Sequence, residues 1–241
     1  MSTQRVLIVV PAYNEGRIIG RVVKEIKKLY PDFDLVVVND GSGDGTLAEA
    51  EAEGAKVISL PYNLGIGGAV QTAFKIARDG NYDATVQIDG DAQHDPTYLM
   101  GVLTPVLKGE LDLCIGSRFL AAHSVFRSTF ARRIGIRFFS FLLSSMTGIH
   151  LTDPTSGFRA TGKNLIRSFA NYYPVDFPEP EAIKIATRLK AKIGEVPVNM
   201  RKRLGGISSI RYWNTAYYMI KVTLAILIDT LKTGEKISDE R

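Results

Sequence analysis

The chain has 241 residues, 45% of them hydrophobic, which is enough to bury one substantial core, so we expect one α/β domain with a smaller appendage. Its 30 basic and 25 acidic side chains give a net charge of +5, which favours anionic partners, and no basic stripe with interleaved base-reading groups points to nucleic acid. A single cysteine excludes an intrachain disulfide, and the apolar run after Arg5 is too short for a signal peptide, so we expect a cytoplasmic protein.

Short runs rich in β-branched residues predict buried strands at residues 6–10, 35–38, 56–60, 84–88 and 111–115. Segments with helical spacing lie between these runs, and the first of them extends from Ile18 to Leu29. The alternation predicts a doubly wound, parallel α/β sheet with right-handed crossovers. Ligands of such sheets bind beyond the carboxyl ends of the strands.

Polar clusters follow the first, second and fourth predicted strands, at residues 11–15, 39–46 and 89–91. The glycines at 41, 43 and 45 lack the Gly-x-Gly-x-x-Gly spacing, and no P-loop sequence is present, which disfavours a dehydrogenase or a P-loop enzyme. Apart from Asp40, the second cluster also fits a tight strand-to-helix loop with Asp44 as the helix N-cap. Residues 63–69 open a helix that either presents backbone amides to an anion or packs closely through small residues.

Two carboxylates one residue apart, Asp89 and Asp91, end the fourth predicted strand. In an extended strand they point to the same side, and Mg²⁺ or Mn²⁺ needs one or two carboxylates while water and substrate phosphates complete its shell. Gln93 offers a further neutral oxygen. The alternative is a plain turn, since Asp and Gly are turn formers. Proline is typical of the first position of a helix, so we expect a helix that begins at Pro96 with Asp95 as its N-cap.

A basic, glycine-rich loop occupies residues 200–209. Arg201 and Arg203 stand beside flexible glycines, an arrangement that suits phosphate recognition because a guanidinium offers a fork of donors. A solvated charge run is the alternative. Earlier in the chain, Glu179 and Glu181 are secondary candidates for accepting a proton, although two acids in the first turn of an ordinary helix explain them as well.

Two segments, residues 126–146 and 212–232, combine apolar residues at helical spacing with basic or polar stripes. Neither has the about 20 consecutive apolar residues that a transmembrane helix needs. We expect amphipathic helices that lie at a membrane surface or dock a membrane partner, with ordinary packing against the α/β domain as the alternative.

Six motifs in the same order resemble those of the family 2 glycosyltransferases, in particular the dolichyl- or polyprenyl-phosphate sugar synthases. They are Val-Pro-Ala-Tyr-Asn-Glu (10–15), Asn-Asp-Gly-Ser-Gly-Asp-Gly-Thr (39–46), Asn-Leu-Gly (63–65), Asp-Gly-Asp-Ala-Gln-His (89–94), Gly-Ser-Arg (116–118) and Asp-Pro-Thr-Ser-Gly-Phe-Arg (153–159). The resemblance covers about residues 5–210. It implies a GT-A fold, a nucleotide-diphosphate sugar donor and an inverting transfer.

The resemblance also implies roles for individual residues. The residues placed around the nucleoside are Pro11, Tyr13, Glu15 and Asp40. Those placed around the metal and diphosphate are Asp89, Asp91 and Gln93, with Arg118 near the donor and Asp153 near the acceptor. Asp91 is the stronger metal candidate, because Asp89 can bridge to the sugar or ribose instead. For Asp153 a turn or helix cap before Pro154 is the alternative.

The family's Arg-x-x-Gly-x-Ser-Lys pattern is met at Arg203, Gly206 and Ser208, but Ser209 replaces the lysine. We expect Arg203 and Ser208 to contact phosphate together with Arg201. We therefore expect a GT-A catalytic domain over residues 1–210, with a nucleotide-binding half at about 1–120 and an acceptor half at about 121–210. Residues 211–241 then form a C-terminal amphipathic helix and tail.

The expected activity is metal-dependent, inverting transfer of a hexose from a GDP- or UDP-sugar to polyprenyl or dolichyl phosphate, peripherally at the cytoplasmic membrane face. A lipid phosphate is already anionic and needs no strong general base, whereas a hydroxyl acceptor does. The alternatives are transfer to a sugar hydroxyl in cell-surface polysaccharide or teichoic acid, and a non-catalytic nucleotide-sugar binding module that recruits a membrane partner.

Overall fold

A computed structural model describes residues 4–120, 130–175 and 178–201 of the chain, with the backbone alone for residues 130–136 and 146. The predicted C-terminal helix and tail at 211–241, the amphipathic segment at 212–232, and the phosphate candidates Arg203 and Ser208 lie outside the described residues. The described residues belong to one compact unit. The division of that unit at about residue 120 stays a prediction.

A seven-stranded sheet forms the centre of the molecule, in the order β3-β2-β1-β4-β6-β5-β7. The strands are β1 (Val6–Ala12), β2 (Asp34–Asn39), β3 (Lys56–Ser59), β4 (Ala84–Gln87), β5 (Leu113–Ser117), β6 (Arg159–Gly162) and β7 (Ile193–Pro197). β6 runs antiparallel to both β4 and β5, and the remaining pairs are parallel. The expected mostly parallel sheet is confirmed, with one antiparallel strand inside it.

Helices cover the sheet and connect its parallel strands. They are α1 (Ile19–Leu29), α2 (Thr46–Ala52), α3 (Gly65–Asp79), α4 (Leu99–Leu107), α5 (Phe130–Thr147), α6 (Lys163–Asn171) and α7 (Pro178–Arg188). A short 3-10 helix at Pro96–Tyr98 precedes α4. Asp95 caps it by accepting a hydrogen bond from the Thr97 amide, which confirms the predicted N-cap and the predicted position of Pro96.

The hydrophobic pattern of each element explains its place in the core. β1 is buried along its whole length, as expected for a strand in the middle of a sheet covered on both faces. The buried residues of α1 recur at helical spacing and place one apolar stripe against that sheet; they are Ile19, Val22, Val23 and Ile26. Cys114 is fully buried in β5, and burial raises its thiol pKa to about 12, so it is an inert core residue.

α5 corresponds to most of the amphipathic helix predicted at residues 126–146, of which residues 126–129 are not described. Its described part buries Phe139 and Leu143 and leaves Phe141 exposed, so the helix packs against the domain on one side and presents an apolar residue on another. Among the helices in the described ranges, none is long and apolar enough to cross a bilayer.

Candidate active site

The polar clusters that follow β1, β2 and β4 lie next to one another at the carboxyl-terminal end of the parallel strands. β1 is flanked by β2 and β4 in parallel, so the carboxyl ends of the three strands meet there. The backbone links the clusters directly. The amide of Asp40 donates to the Ala12 carbonyl at 2.9 Å, and the amide of Gly90 donates to the Pro11 carbonyl at 3.3 Å. The strand ends predicted from sequence therefore form one site.

Hydrogen bonds between the first two clusters shape the part of the site expected to hold the nucleoside. The Glu15 amide donates to Thr46 Oγ1 at 2.9 Å, and the Gly16 amide donates to Asp44 Oδ2 at 3.0 Å. Asp44 also accepts from the Thr46 amide at 3.0 Å, but Gly45 is the N-cap of α2, so the predicted N-cap at Asp44 is wrong by one residue. Tyr13, just beyond β1, is 49% exposed, so its ring is accessible to a ligand.

Asp40 is buried and connects β2 to the start of α3. Its Oδ1 accepts a hydrogen bond from the Leu64 amide at 2.7 Å. Gly41 next to it has a φ of +67°, and a Cβ there would lie 2.6 Å from the backbone of Tyr62. The two loops are therefore in close backbone contact, which requires glycine at position 41. The nucleoside roles of Pro11, Tyr13, Glu15 and Asp40 stay predictions.

The Asp-Gly-Asp segment beyond β4 forms a tight turn that presents both carboxylates. Asp91 is buried, and its Oδ1 accepts from the Gln93 amide at 3.0 Å. Ala92 between them has a φ of +61°, a left-handed conformation that is uncommon outside glycine and typical of functional loops. The Asp89 side chain is 37% exposed and accepts a hydrogen bond from Gln87 at 3.3 Å.

His94 contacts both the backbone amide and the carboxylate of Asp89. Its position in the sequence did not predict this role. The Asp89 amide donates to His94 Nδ1 at 3.0 Å, which assigns the ring proton to Nε2, 3.5 Å from Asp89 Oδ2. The imidazole is buried and stacked on Phe158 with ring centroids 5.0 Å apart. His94 therefore fixes the orientation of Asp89 through both its backbone and its side chain.

Asp89 and Asp91 fit the donor requirements of Mg²⁺ or Mn²⁺. Both ions prefer oxygen ligands and take one or two protein carboxylates, with water and substrate phosphates completing the shell. A Cβ at Gly157 would lie 3.1 Å from Asp89 Oδ1, so the glycine keeps space open beside that carboxylate. Within the described ranges, no group of three or more His, Cys, Asp or Glu side chains converges as a metal cage.

Arg118 and Asp153 form a buried ion pair at the end of β5. Arg118 donates from Nε to Asp153 Oδ2 and from Nη2 to Asp153 Oδ1, each at 2.5 Å, and its amide donates to Oδ2 at 3.1 Å. Asp153 has no exposed surface, and Arg118 is 4% exposed. Both oxygens of Asp153 are engaged, which leaves it poorly arranged to accept a proton. Its catalytic role and that of Arg118 stay predictions.

Glu195 and Arg159 hold the loop that carries Asp153. The Glu195 carboxylate accepts from the amides of Thr152 and Asp153 at 2.7 and 2.8 Å. Arg159 donates to the carbonyls of Pro154 and Ser156 at 2.7 and 2.6 Å. Sequence reasoning assigned no role to Glu195 or Arg159, because their partners are distant from them or are backbone atoms that no side-chain motif identifies.

Glu179 and Glu181 lie in the first turn of α7, which begins at Pro178 as the helix-start alternative requires. Burial raises the pKa of Glu179; Arg159 opposes this shift, and the nearby charge of Asp89 adds to it. Glu179 therefore belongs to the same electrostatic environment as Asp89. Its pKa lies above the usual value of a glutamate because burial disfavours the charged form.

Arg201 lies in an ion-pair cluster. Its guanidinium donates to both oxygens of Glu25 at 2.7 Å and to Asp95 Oδ1 at 2.8 Å. Its amide donates to the Gln93 carbonyl at 2.8 Å, immediately beyond the Asp-Gly-Asp turn. The predicted phosphate role of Arg201 stays untested, and the structure places its side chain against two carboxylates.

The sheet order, the antiparallel strand within it and the paired aspartates beyond β4 define the GT-A class of nucleotide-sugar enzymes. A family model described as glycosyl transferase family 2 matches residues 7–170. The chain belongs to this family, as the motifs indicated, and it is a glycosyltransferase.

Curated relatives match most of the chain. An uncharacterised protein of Methanocaldococcus jannaschii is 33% identical over 82% of this chain and 82% of its own length. The UDP-N-acetylglucosamine–dolichyl-phosphate N-acetylglucosaminyltransferase of Methanococcus voltae is 30% identical over 82% and 86%. The polyprenol monophosphomannose synthase of Mycolicibacterium smegmatis is 28% identical over 91% and 86%. The subgroup expected from the motifs is thus found among the relatives.

Solved structures confirm the fold. Glucosyl-3-phosphoglycerate synthase from Mycobacterium tuberculosis, in complex with Mn²⁺, UDP and glucosyl-3-phosphoglycerate, superposes with a TM-score of 0.71 at 23% identity. The likeness covers 95% of this chain and 80% of that one.

Proposed function

We propose that this enzyme transfers a hexose from a nucleotide-diphosphate sugar to a polyprenyl phosphate, with inversion and with the help of Mg²⁺ or Mn²⁺. The observation that carries the proposal is that Asp89 and Asp91 follow β4, and Asp40 follows β2, at the carboxyl ends of the two parallel strands that flank β1. Two relatives named for lipid-phosphate acceptors support the choice of acceptor, and the fold neighbour crystallised with Mn²⁺ and UDP supports the metal and nucleotide.

The chain's own residues bind and orient the donor. Tyr13 can lie against the base, and Asp40 can accept hydrogen bonds from the base or ribose. Asp91, and Asp89 with it, would hold the metal, which when bound neutralises charge on the departing diphosphate. The contacts of His94 and Gln93 keep both aspartates in place before the substrate arrives, so little reorganisation is required during the reaction.

The hydrogen bonds of the Asp153 carboxylate favour a lipid-phosphate acceptor. Its two oxygens are engaged by Arg118, so it is poorly arranged to deprotonate a hydroxyl. A phosphate oxygen is already anionic at neutral pH and needs no such base. The acceptor's prenyl chain lies in a bilayer, so we infer peripheral association with the membrane surface, to which the segments at 126–146 and 212–232 would contribute.

The raised pKa of Glu179 favours a second candidate, transfer to a sugar hydroxyl. A carboxylate with a raised pKa is a stronger base than an ordinary carboxylate. In that reaction Glu179 would accept the proton of the attacking hydroxyl, whereas the transfer to a phosphate would not require it.

The two candidates are separated by incubating the chain with UDP- and GDP-hexoses, either metal, and either a short polyprenyl phosphate or an oligosaccharide. We expect a lipid-linked monosaccharide. Asp91→Ala should lower kcat/KM by about a hundredfold or more, because a Lewis acid supplies several kcal/mol of charge stabilisation. Asp79→Ala, in an exposed ion pair on α3, is the matched control. Transfer to the oligosaccharide alone would refute the lipid acceptor, and unchanged turnover in Asp91→Ala would refute the metal assignment.

A further inference from the structure

A three-residue ion cluster links α1, the 3-10 helix and the segment that follows β7. Arg201 Nη1 and Nη2 each donate to one oxygen of Glu25 at 2.7 Å, and Nη2 also donates to Asp95 Oδ1 at 2.8 Å. The three side chains are between 21% and 31% exposed, so the cluster is partly shielded from solvent. Fork-shaped, charge-assisted contacts of this kind are among the strongest hydrogen bonds in proteins.

The backbone on either side of Arg201 pairs with the residues that follow the Asp-Gly-Asp turn. Met200 forms an antiparallel bridge with His94, and the Arg201 amide donates to the Gln93 carbonyl at 2.8 Å. One residue earlier, Asn199 Nδ2 donates to the Tyr98 hydroxyl at 2.8 Å. Residues 199–201 therefore lie along residues 93–98 and hold them on one side.

Gln93 and His94 each contact one of the two aspartates of the turn. The Gln93 amide donates to Asp91 Oδ1, and His94 Nδ1 accepts from the Asp89 amide. A continuous chain of contacts thus runs from Glu25 through Arg201 to residues 93 and 94 and on to both carboxylates. Outer partners of metal ligands act in this way, by fixing the orientation of the residues that bind the ion.

The charge of the cluster argues against direct phosphate binding by Arg201. One guanidinium stands against two carboxylates, which leaves the group with a net charge of −1. Binding a phosphate there would require Arg201 to leave Glu25, or would bring a third negative charge beside the first two, and both are unfavourable.

We propose that Arg201 is a positioning residue, anchored by Glu25, that fixes residues 93–95 and through them the two metal-binding aspartates. The inference rests on the metal site of the proposed function. It gives Glu25, an α1 residue outside the rim of the site, a part in donor binding.

The test is Mn²⁺ binding measured by calorimetry, in the presence of UDP or GDP, for the wild-type chain and for Glu25→Gln, Arg201→Gln and the double variant. Glu25→Gln preserves the shape of the side chain, and we expect it to weaken Mn²⁺ binding by about tenfold, the lower end of the range for outer partners of metal ligands. The double variant should lose little more than either single one, because both changes break the same contact.

Three further measurements sharpen the result. Glu53→Gln removes a weak exposed ion pair with Lys24 on α1 and should leave Mn²⁺ binding unchanged. Binding of the nucleotide without metal should be the same in Glu25→Gln and Arg201→Gln. Arg201→Lys, which keeps the charge and one contact, should bind Mn²⁺ with an affinity between those of the wild type and Arg201→Gln.

Wild-type Mn²⁺ affinity in Glu25→Gln would overturn the inference while leaving the proposed function intact. Loss of metal-free nucleotide binding in Arg201→Gln, but not in Glu25→Gln, would also overturn it and make Arg201 a phosphate ligand. If the wild-type chain binds no Mn²⁺ with either nucleotide, the metal assignment fails and the inference fails with it.

Discussion

The Arg118–Asp153 pair shows how a charged residue at the rim of the site can serve the structure. Both side chains are almost fully buried, and each charge is compensated mainly by the other. Forming such a pair gains little net stability, because both ions lose their hydration, but removing one partner leaves a buried charge without compensation. The cost of breaking the pair is therefore large.

Asp153→Asn should destabilise the protein by about 3–5 kcal/mol, because Arg118 then stays buried without the carboxylate that its Nε and Nη2 contact. The measurement is the free energy of unfolding in urea. Asp79→Asn, which removes an exposed ion pair with Arg78, should cost about 1 kcal/mol or less. Unchanged stability in Asp153→Asn together with lost transfer would instead support a catalytic role for this carboxylate.

Single residues of the site could be predicted from sequence where a local pattern carries the chemistry. Asp89, Asp91 and Asp40 directly follow hydrophobic runs, and parallel strands bring such positions together. The partners of these residues could not be predicted. Glu25 and Arg201 are separated by 176 positions, and nothing in either local sequence indicates that the two side chains meet.

At the scale of elements, α3 is held in place by a close backbone contact. A Cβ at Gly67 would lie 2.2 Å from the carbonyl oxygen of Pro174 and 2.6 Å from that of Val175. The backbones at the start of α3 and in the segment after α6 are therefore in direct contact, which is possible because Gly67 has no side chain. At Gly67 this contact agrees with the close-packing alternative for residues 63–69, whereas an added Cβ at Gly65 would have no atom within 4 Å.

Gly67→Ala should destabilise the protein by about 1–3 kcal/mol, because the backbone at 174–175 must move to admit the methyl group. Gly101→Ala is the matched control, since it also lies inside a helix but has no atom within 4 Å of the added Cβ. It should stabilise by about 0.5–1 kcal/mol through helix propensity. Thermal unfolding of both variants measures the difference, and equal shifts in the same direction would contradict the packing argument.

Hydrophobic runs predict strands such as β1, β2 and β4. They do not predict β6 and β7, whose sequences contain no such run. β6 has the sequence Arg-Ala-Thr-Gly and is a strand because β4 and β5 pair with it on both sides. β7 contains a glycine and a glutamate, and among the described strands it pairs with β5 alone. β5 begins two residues later than predicted and extends through Gly116 and Ser117, which pair with β7. Such pairing depends on distant segments, which local hydrophobicity does not report.

Over the whole molecule, several carboxylates with shifted pKa values connect distant parts of the chain. Hydrogen bonds from the Arg5 amide and from Lys163 lower the pKa of Asp83. Burial alone would raise the pKa of Asp95, but hydrogen bonds from Thr97 and Arg201 outweigh it and lower the value. An unfolded aspartate has a pKa of about 3.9, so the stability from these groups is complete above that pH and is lost as the pH falls further.

Glu179 has the opposite effect on the pH dependence of stability, because burial raises its pKa in the folded state. Below the unfolded value of about 4.3 it is protonated in both states and costs nothing. As the pH rises through its folded pKa, the folded protein must ionise a buried carboxyl group, so stability is lost over that interval.

We therefore expect the melting temperature of Glu179→Gln minus that of the wild type to increase as the pH rises from about 4.3 toward neutral. Asp83→Asn should differ from the wild type in the opposite sense, with its relative loss shrinking as the pH falls below about 3.9. Melting curves of the three proteins between pH 3 and 8 measure both trends. A Glu179→Gln difference that is constant across this range would show that the carboxyl group titrates normally, and the case for Glu179 as a proton acceptor in hydroxyl transfer would lose its physical basis.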